Sequence, residues 1–176
     1  MKMALTGTPG TGKTAAGAEL ATRGYTVESF DELAADCVVD FDRERNCKVV
    51  DVDAVDRRFR KRHDQVIVEG HLSHLLSVDF AVILRCHPDV LRERLKAKGW
   101  PEAKIRENVA AEALDVITVQ AVERHGEERV AEVDTTHLSA QQTAEEIVKI
   151  AQRGFLSGGA GWVDWSDWVM DHAGQI

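Results

Sequence analysis

The sequence predicts an α/β protein in which a largely parallel sheet lies between helices. Short apolar runs alternate with longer stretches of helical periodicity over most of the chain, which is typical of repeated βα units. With 176 residues, 44% of them hydrophobic, the chain is long enough to form one domain with a sizeable core. We therefore expect a single α/β domain rather than several small ones.

Five apolar runs have the length and composition of buried strands. They are bounded by glycine or by polar residues, where a strand is expected to end. The predicted strands cover residues 2–6, 25–28, 66–69, 80–85 and 129–134.

Five stretches with helical spacing of apolar residues separate or follow these strands. Gly24 is placed to end the first helix, Pro88 suits a first helical turn, and Ser139 can cap the last of them. The predicted helices cover residues 12–23, 53–61, 88–98, 102–124 and 139–153. The broken, polar pattern of residues 31–53 predicts an inserted subregion packed beside the sheet.

The composition changes after residue 153, so we divide the chain into a domain at 1–153 and a tail at 154–176. The tail begins with glycines that predict a flexible joint and continues with apolar residues at helical spacing. These are Gly154, Gly158, Gly159 and Gly161, followed by Trp162, Trp165, Trp168 and Val169. Two interpretations remain open: an amphipathic helix that docks on the body, or a helix that binds a partner.

The composition excludes several classes of protein. The 22 basic and 30 acidic residues give a net charge of −8, which argues against binding nucleic acid through bulk positive charge. No run approaches the roughly 20 apolar residues of a membrane span. Cys37, Cys47 and Cys86 form no CxxC pair, so we expect reduced thiols, not a disulfide framework or a zinc site. With no signal-like segment at the start, a cytoplasmic protein is expected.

The strongest motif begins at the seventh residue. The segment Gly7-Thr8-Pro9-Gly10-Thr11-Gly12-Lys13-Thr14 fits GxxxxGK[ST], and it lies between a predicted strand and a predicted helix. In such a P-loop the glycines turn backbone N–H groups toward phosphates, and the helix N-terminus adds partial positive charge. Lys13 can reach the β- and γ-phosphates of ATP, and the Thr14 hydroxyl can ligate Mg²⁺. The segment therefore predicts ATP binding.

A second magnesium ligand is expected at the end of another strand. Glu69 ends the apolar run 66–69, which is the Walker B arrangement, while Asp51 and Asp53 compete for the same role. His71 follows two residues later and could orient an acceptor or a water molecule. A transition-metal cluster of Glu69, His71 and His74 is disfavoured, because the P-loop already explains a nearby acid.

The second half of the chain supplies positive charge. Arg85 ends a strand, Arg92 and Arg94 share a predicted helix, and Lys98 precedes the Gly99-Trp100-Pro101 segment that could close as a lid. Any one of these residues could instead belong to a solvated helix face. As a group, they favour a site for a transferring phosphoryl group, which arginine neutralises well.

Together these residues resemble the adenylate kinase isoenzyme 6 family, over about residues 3–153. The resemblance rests on the opening segment 5–14, on Glu69-Gly70-His71, on Leu84-Arg85 and on the segment 91–95. The lid-like segment 98–100 and the later Glu107-Asn108 with Glu112 complete it.

The resemblance implies a three-layer P-loop fold with a five-stranded parallel sheet, an acceptor region near 29–50 and a lid near 97–107. It also implies transfer of the γ-phosphoryl group of ATP to AMP or related nucleoside monophosphates with Mg²⁺, and an ATPase activity. A role in small ribosomal subunit maturation and rRNA processing, in contact with a ribosomal platform protein and the pre-ribosomal particle, is implied too.

On this chain the candidate residues divide into three sets. The catalytic set is Lys13, Glu69, His71, Arg85 and Arg94. The nucleotide-binding set is Gly10, Gly12, Lys13, Thr14, Ala15 and Lys98, and the metal set is Thr14 and Glu69.

Three positions depart from the family pattern. Glu69-Gly70-His71-Leu72 stands where the family's eukaryotic pattern has Asp-Tyr-His-Gly, Lys98 stands where arginine is common, and Ala15 replaces a common threonine. These changes concern nucleotide affinity more than the class of reaction. Two alternatives stay open: an ATP-hydrolysing assembly factor that switches a partner, and a P-loop kinase for another small acceptor such as a sugar or a shikimate-like acid.

Overall fold

The computed structural model describes residues 1–43, 47–153 and 159–174. The strands in this part of the chain are β1 Lys2–Gly7, β2 Val27–Ser29, β3 Val38–Asp42, β4 Cys47–Val50, β5 Val66–Glu69, β6 Phe80–Arg85 and β7 Val130–Asp134. The α-helices are α1 Lys13–Thr22, α2 Phe30–Leu33, α3 Val52–Phe59, α4 Pro88–Ala97, α5 Glu102–Ala113, α6 Val116–His125, α7 Ala140–Gln152 and α8 Ser166–Asp171.

Five strands form a parallel sheet in the order β2-β5-β1-β6-β7, with β1 at its centre. The predicted α/β class and the five predicted strands are confirmed, with shifts of one or two residues at some ends. Because β1 is central, the loop that follows Gly7 emerges between the carboxyl ends of β5 and β6. In open parallel sheets this edge is where ligands bind.

Helices cover both faces of the sheet. Successive side chains of a strand point to opposite faces, so apolar strands need cover on both sides. Met3 and Leu5 of β1 point to one face and pack with Ala16 and Leu20 of α1 and with Ile147 of α7. The other face, which includes Ala4, Val68 and Ile83, packs against Val55 and Phe59 of α3 and Ala121 of α6. The three-layer arrangement places α1, and with it the P-loop, against the middle of the sheet.

The helix predicted over 102–124 is wrong as a single element. It is two helices, α5 and α6, separated at Leu114 and Asp115. Asp115 has a left-handed backbone conformation with φ of 55°, which aspartate tolerates better than most residues. Its carboxylate pairs with Arg85, so a tertiary contact holds the break in a stretch whose local sequence favours helix.

The insertion predicted over 31–53 contains the antiparallel hairpin of β3 and β4. Its side chains are largely exposed, including Val39 and Phe41, so little apolar burial fixes it to the sheet. Residues 44–46, which lie between β3 and β4 in the sequence, are outside the described part of the chain.

The tail docks on the body through short elements. Trp168 on α8 is buried with Leu91, Ile105 and Val109 of α4 and α5. The helix has only six residues, shorter than the spacing of the tryptophans suggested, and Trp162 remains 57% exposed. Of the glycines predicted to form a joint, Gly154 and Gly158 lie outside the described residues. None of the helices in the described ranges is long and apolar enough to cross a membrane.

Candidate active site

The phosphate-binding loop lies between β1 and α1, at the predicted position. Two of its glycines are required by their surroundings. At Gly7, with φ of +139°, an added Cβ would lie 2.3 Å from the Leu84 carbonyl oxygen. At Gly10, with φ of +98°, it would lie 2.8 Å from Cδ1 of Leu91. Side chains at these positions would force the loop away from β6 and α4.

Lys13 is buried beneath this loop. Its ammonium Nζ donates to the carbonyl oxygens of Gly7 at 2.8 Å and Thr8 at 3.1 Å. Burial lowers the pKa of Lys13 to about 8, while Glu69 acts in the opposite direction. At neutral pH the ammonium is charged and already held beside the loop that phosphates would occupy.

Thr14 and Glu69 meet across the cleft. The Thr14 hydroxyl lies 3.3 Å from Oε2 and 3.5 Å from Oε1 of Glu69. Two hard oxygen donors at this distance fit Mg²⁺, which binds few protein ligands and keeps positions for phosphates and water. Asp51 instead caps α3 by accepting from the Ala54 N–H at 2.9 Å, and Asp53 is exposed in the first turn of that helix.

A cleft of about 640 Å³ opens on one side of the loop. Its wall includes Lys13, Thr14, Glu69 and His71 together with residues from the predicted acceptor and lid regions, namely Ser29, Asp31, Trp100 and Lys104. A second cavity of about 450 Å³ lies on the other side and is lined by Gly12, Ala15, Arg94, Thr135 and Leu138, among others. Gly10 and Lys98 line both. The loop thus separates two spaces that are each large enough for a small ligand.

The two histidines after β5 are neutral at pH 7. His71 lines the larger cleft, and burial together with nearby Lys13 lowers its pKa below the usual 6.5. His74 is fully buried, which lowers its pKa to about 4. Its Nδ1 lies 3.1 Å from the Thr6 hydroxyl and its Nε2 lies 3.0 Å from Oε1 of Gln120. Among the described residues, no group of three or more His, Cys, Asp or Glu could hold a metal ion, so a cluster of Glu69, His71 and His74 is not formed.

The position of Arg85 does not agree with the expectation that it faces the transferring phosphate. The residue is 1% exposed behind the loop. Its guanidinium pairs with Glu112 at 2.8 Å and also with Asp115 and Glu132. Burial acts to lower its pKa, but the surrounding carboxylates outweigh burial and raise it. Arg85 is therefore occupied by structural partners.

Arg94 and Lys98 lie where a nucleotide could reach them. Arg94 donates through Nη2 to the backbone oxygens of Thr135 at 2.8 Å and Thr136 at 3.1 Å, and it borders the smaller cavity. Lys98, at the end of α4, is exposed at the junction of the two spaces. Thr135 in turn donates to the Thr11 backbone oxygen at 2.9 Å, which ties the end of β7 to the P-loop.

The sequence reasoning assigned no role to Glu112, which contacts the loop directly. Oε2 of this buried carboxylate accepts from the Thr8 hydroxyl at 2.6 Å. The sequence position of Glu112 could have indicated that it is buried, because it continues the spacing of Ile105 and Val109 on the buried face of α5. An acid on the apolar face of a helix needs a buried partner.

This chain is similar to a known protein family and to named archaeal proteins. The protein family described as AAA domain matches residues 3–115. A protein of Archaeoglobus fulgidus is 44% identical over 171 residues, covering 93% of this chain and 92% of its own length. One from Natronomonas pharaonis is 41% identical over 169 residues, covering 95% of this chain and 99% of its own. Both carry the name "Putative adenylate kinase".

Solved structures with little sequence similarity share the fold. Shikimate kinase from Acinetobacter baumannii, in complex with shikimate, aligns with a TM-score of 0.62 at 18% identity, covering 89% of this chain and 95% of that one. Deoxyadenosine kinase from M. mycoides, with bound dATP, aligns with a TM-score of 0.55 at 16% identity, covering 86% of this chain and 100% of that one. The P-loop kinase fold and the family resemblance are thereby confirmed, and the chain belongs to the archaeal adenylate kinase family that these relatives represent.

Proposed function

We propose that this protein is a nucleoside monophosphate kinase that transfers the γ-phosphoryl group of ATP to AMP or a related monophosphate. The observation that carries the proposal is the pair of spaces on either side of the P-loop, which meet at Gly10 and Lys98. A kinase must hold a donor and an acceptor with their reacting atoms in line, and two adjoining spaces suit that requirement.

In this proposal each side chain has a defined task. The smaller cavity, bordered by Ala15 and Arg94, takes the ATP base and ribose, and the loop amides with Lys13 hold the phosphates. The larger cleft takes the monophosphate, and His71, being neutral, orients it by hydrogen bonding. Lys98 supplies positive charge where the phosphoryl group passes. Arg85 is left out of the phosphate-binding set, because its guanidinium is buried among carboxylates.

Thr14 and Glu69 would hold Mg²⁺ in this scheme. When bound, the ion supplies positive charge to the ATP phosphates. A lid near 97–107 would exclude water during transfer; Trp100 and Lys104 of this region already contact one another, with Nζ 4.5 Å from the ring centroid.

An acceptor screen tests the proposed reaction. The protein is incubated with ATP and Mg²⁺ alone, and with AMP, CMP, UMP, GMP or shikimate added, and ADP formation is measured. ADP production that depends on a monophosphate supports the kinase. Turnover with shikimate but with no monophosphate would replace it with the alternative of another small acceptor.

The resemblance to the isoenzyme 6 family supports two finer proposals, an ATPase activity and a role in maturation of the small ribosomal subunit. Both are open to the same measurement. ADP formation without any acceptor measures the ATPase, and stimulation of that rate by small-subunit particles, with no effect of AMP, would favour the partner-switching alternative.

The lowered pKa of Lys13 predicts an alkaline limit to activity. kcat/KM for ATP reports the ionisation of free enzyme, and phosphates bind the charged ammonium. With a folded-state pKa of about 8, kcat/KM is expected to fall as the pH rises above that value. In Lys13→Arg the guanidinium stays charged, so the residual activity of this variant should not fall in the same way at alkaline pH. A wild-type kcat/KM that stays level to pH 10 would contradict the assignment.

Glu69→Gln is expected to raise the Mg²⁺ concentration needed for half-maximal activity by about tenfold or more, because an anionic ligand is lost. The measurement is a magnesium titration at saturating ATP and acceptor. Asp53→Asn is the matched control. The sequence made Asp53 an alternative magnesium ligand to Glu69, but in the structure it is exposed on α3. Equal titration curves for both variants would remove Glu69 from the proposed metal site.

A further inference from the structure

The segment 161–165 of the tail donates hydrogen bonds to two buried carboxylates. The backbone N–H of Gly161 donates to Oε2 of Glu132 at 2.7 Å, and that of Val163 does so at 3.4 Å. The indole Nε1 of Trp165 donates to Oε1 of Glu112 at 3.3 Å. The tail therefore contacts the polar interior of the domain as well as its apolar surface.

This interior carries more negative than positive charge. Glu112 and Glu132 are each 2% exposed, and with half-buried Asp115 they surround Arg85, the one cation that pairs with them among the described residues. One guanidinium does not balance three carboxylates, so neutral donors must satisfy the remaining oxygen lone pairs. In the described part of the chain, Oε2 of Glu132 receives its hydrogen bonds from the tail.

The same carboxylates reach the nucleotide loop. Glu112 uses one oxygen for Arg85, the Cys86 N–H and Trp165, and the other for the Thr8 hydroxyl at 2.6 Å. The backbone oxygen of Thr8 then accepts from Nζ of Lys13 at 3.1 Å. A continuous path of hydrogen bonds thus joins the Trp165 indole to the Lys13 ammonium through two intermediate residues.

From this path we propose that Trp165 is a positioning residue for the P-loop: by fixing the Glu112 carboxylate, it holds Thr8 and Lys13 in the conformation that binds nucleotide phosphates. Trp165 itself lines neither of the two ligand spaces. The inference rests on the proposed function only for the choice of ATP as the probe, because the loop geometry is measurable without any ligand.

Trp165→Phe tests the proposal with little disturbance of packing. Phenylalanine keeps an aromatic ring beside His87, whose ring centroid lies 5.2 Å away, but cannot donate to Glu112. The dissociation constant of ATP with Mg²⁺, measured by titration calorimetry, is expected to rise about three- to tenfold, the effect of weakening one hydrogen bond to a charged group. kcat at saturating ATP should change less than KM.

Trp168→Phe is the matched control. Its indole also donates to a carboxylate, that of Asp89 at 2.9 Å, but Asp89 is on α4 and lies outside the path to Thr8. This variant is expected to lower the melting temperature and to leave the ATP dissociation constant unchanged. Equal constants for wild type and Trp165→Phe, or equal losses in both variants, would overturn the proposal.

Hydrogen exchange of the nucleotide-free protein supplies a readout that does not depend on ATP. Amides of residues 7–14 are expected to exchange faster in Trp165→Phe than in wild type or in Trp168→Phe. Unchanged exchange there would overturn the positioning role even if the kinase proposal holds. Conversely, if wild type binds no ATP, the proposed function fails while exchange still decides the role of Trp165.

Discussion

Lys13→Ala is expected to reduce phosphoryl transfer, and any ATP hydrolysis, by about 100-fold or more, the usual cost of removing a group aimed at developing charge. Lys13 is the buried cation of the loop, and Gly7 and Thr8 already hold its Nζ. The measurement is ADP formation at saturating ATP with the best acceptor from the screen.

Loss of folding is not expected to explain the inactive variant. Burial lowers the pKa of Lys13 to about 8, so the folded protein carries a free-energy cost for charging it at neutral pH. As the pH rises above that value wild type is relieved of this cost, whereas Lys13→Ala never carries it. The variant should therefore remain folded at pH 7, and a thermal melting curve checks this. The control is Lys96→Ala, at an exposed lysine of α4, which should retain full activity. An active Lys13→Ala variant would contradict the proposed active site as a whole.

Arg85→Met is expected to lower the free energy of unfolding by about 3–5 kcal/mol, because it leaves buried carboxylates without their cation. Glu112 and Glu132 would face one another's charge in a space from which water is excluded. Urea denaturation at pH 7 measures the loss.

Arg92→Met is the matched comparison for this prediction. Arg92 pairs with Glu102 at 3.0 Å, but the Glu102 side chain is 56% exposed, and such a surface pair contributes less than about 1 kcal/mol. Similar losses of stability in the two variants would show that the Arg85 cluster is not the internal ion network described above.

The strands were predictable because their burial is nearly continuous. Parallel strands covered on both faces consist mostly of apolar residues, and residues 80–84 of β6 show this directly. The division of α5 from α6 was not predictable, because apolar spacing continues through Asp115 while the contact that stabilises its left-handed backbone comes from Arg85, 30 residues earlier. The exposed strands β3 and β4 lack the alternation that burial imposes.

The same distinction applies to the site. The P-loop motif placed Lys13 and Thr14, and the apolar run before Glu69 placed that carboxylate beside them, because neighbouring parallel strands end at one edge. Arg85 resembles a phosphate ligand in sequence, since it also ends a strand at this edge. Its partners Glu112 and Glu132 lie 27 and 47 residues away in the sequence, so no local pattern around Arg85 predicts these ion pairs.

The contact between Thr8 and Glu112 spans 104 residues of the chain. Contacts of such sequence separation form only after the intervening loop has closed, and closing long loops is the slow part of folding. The sheet around β1 can assemble while the loop that follows it still lacks its carboxylate support. The ability to bind nucleotide is therefore expected to appear late on the folding pathway, after the strands are paired and not with them.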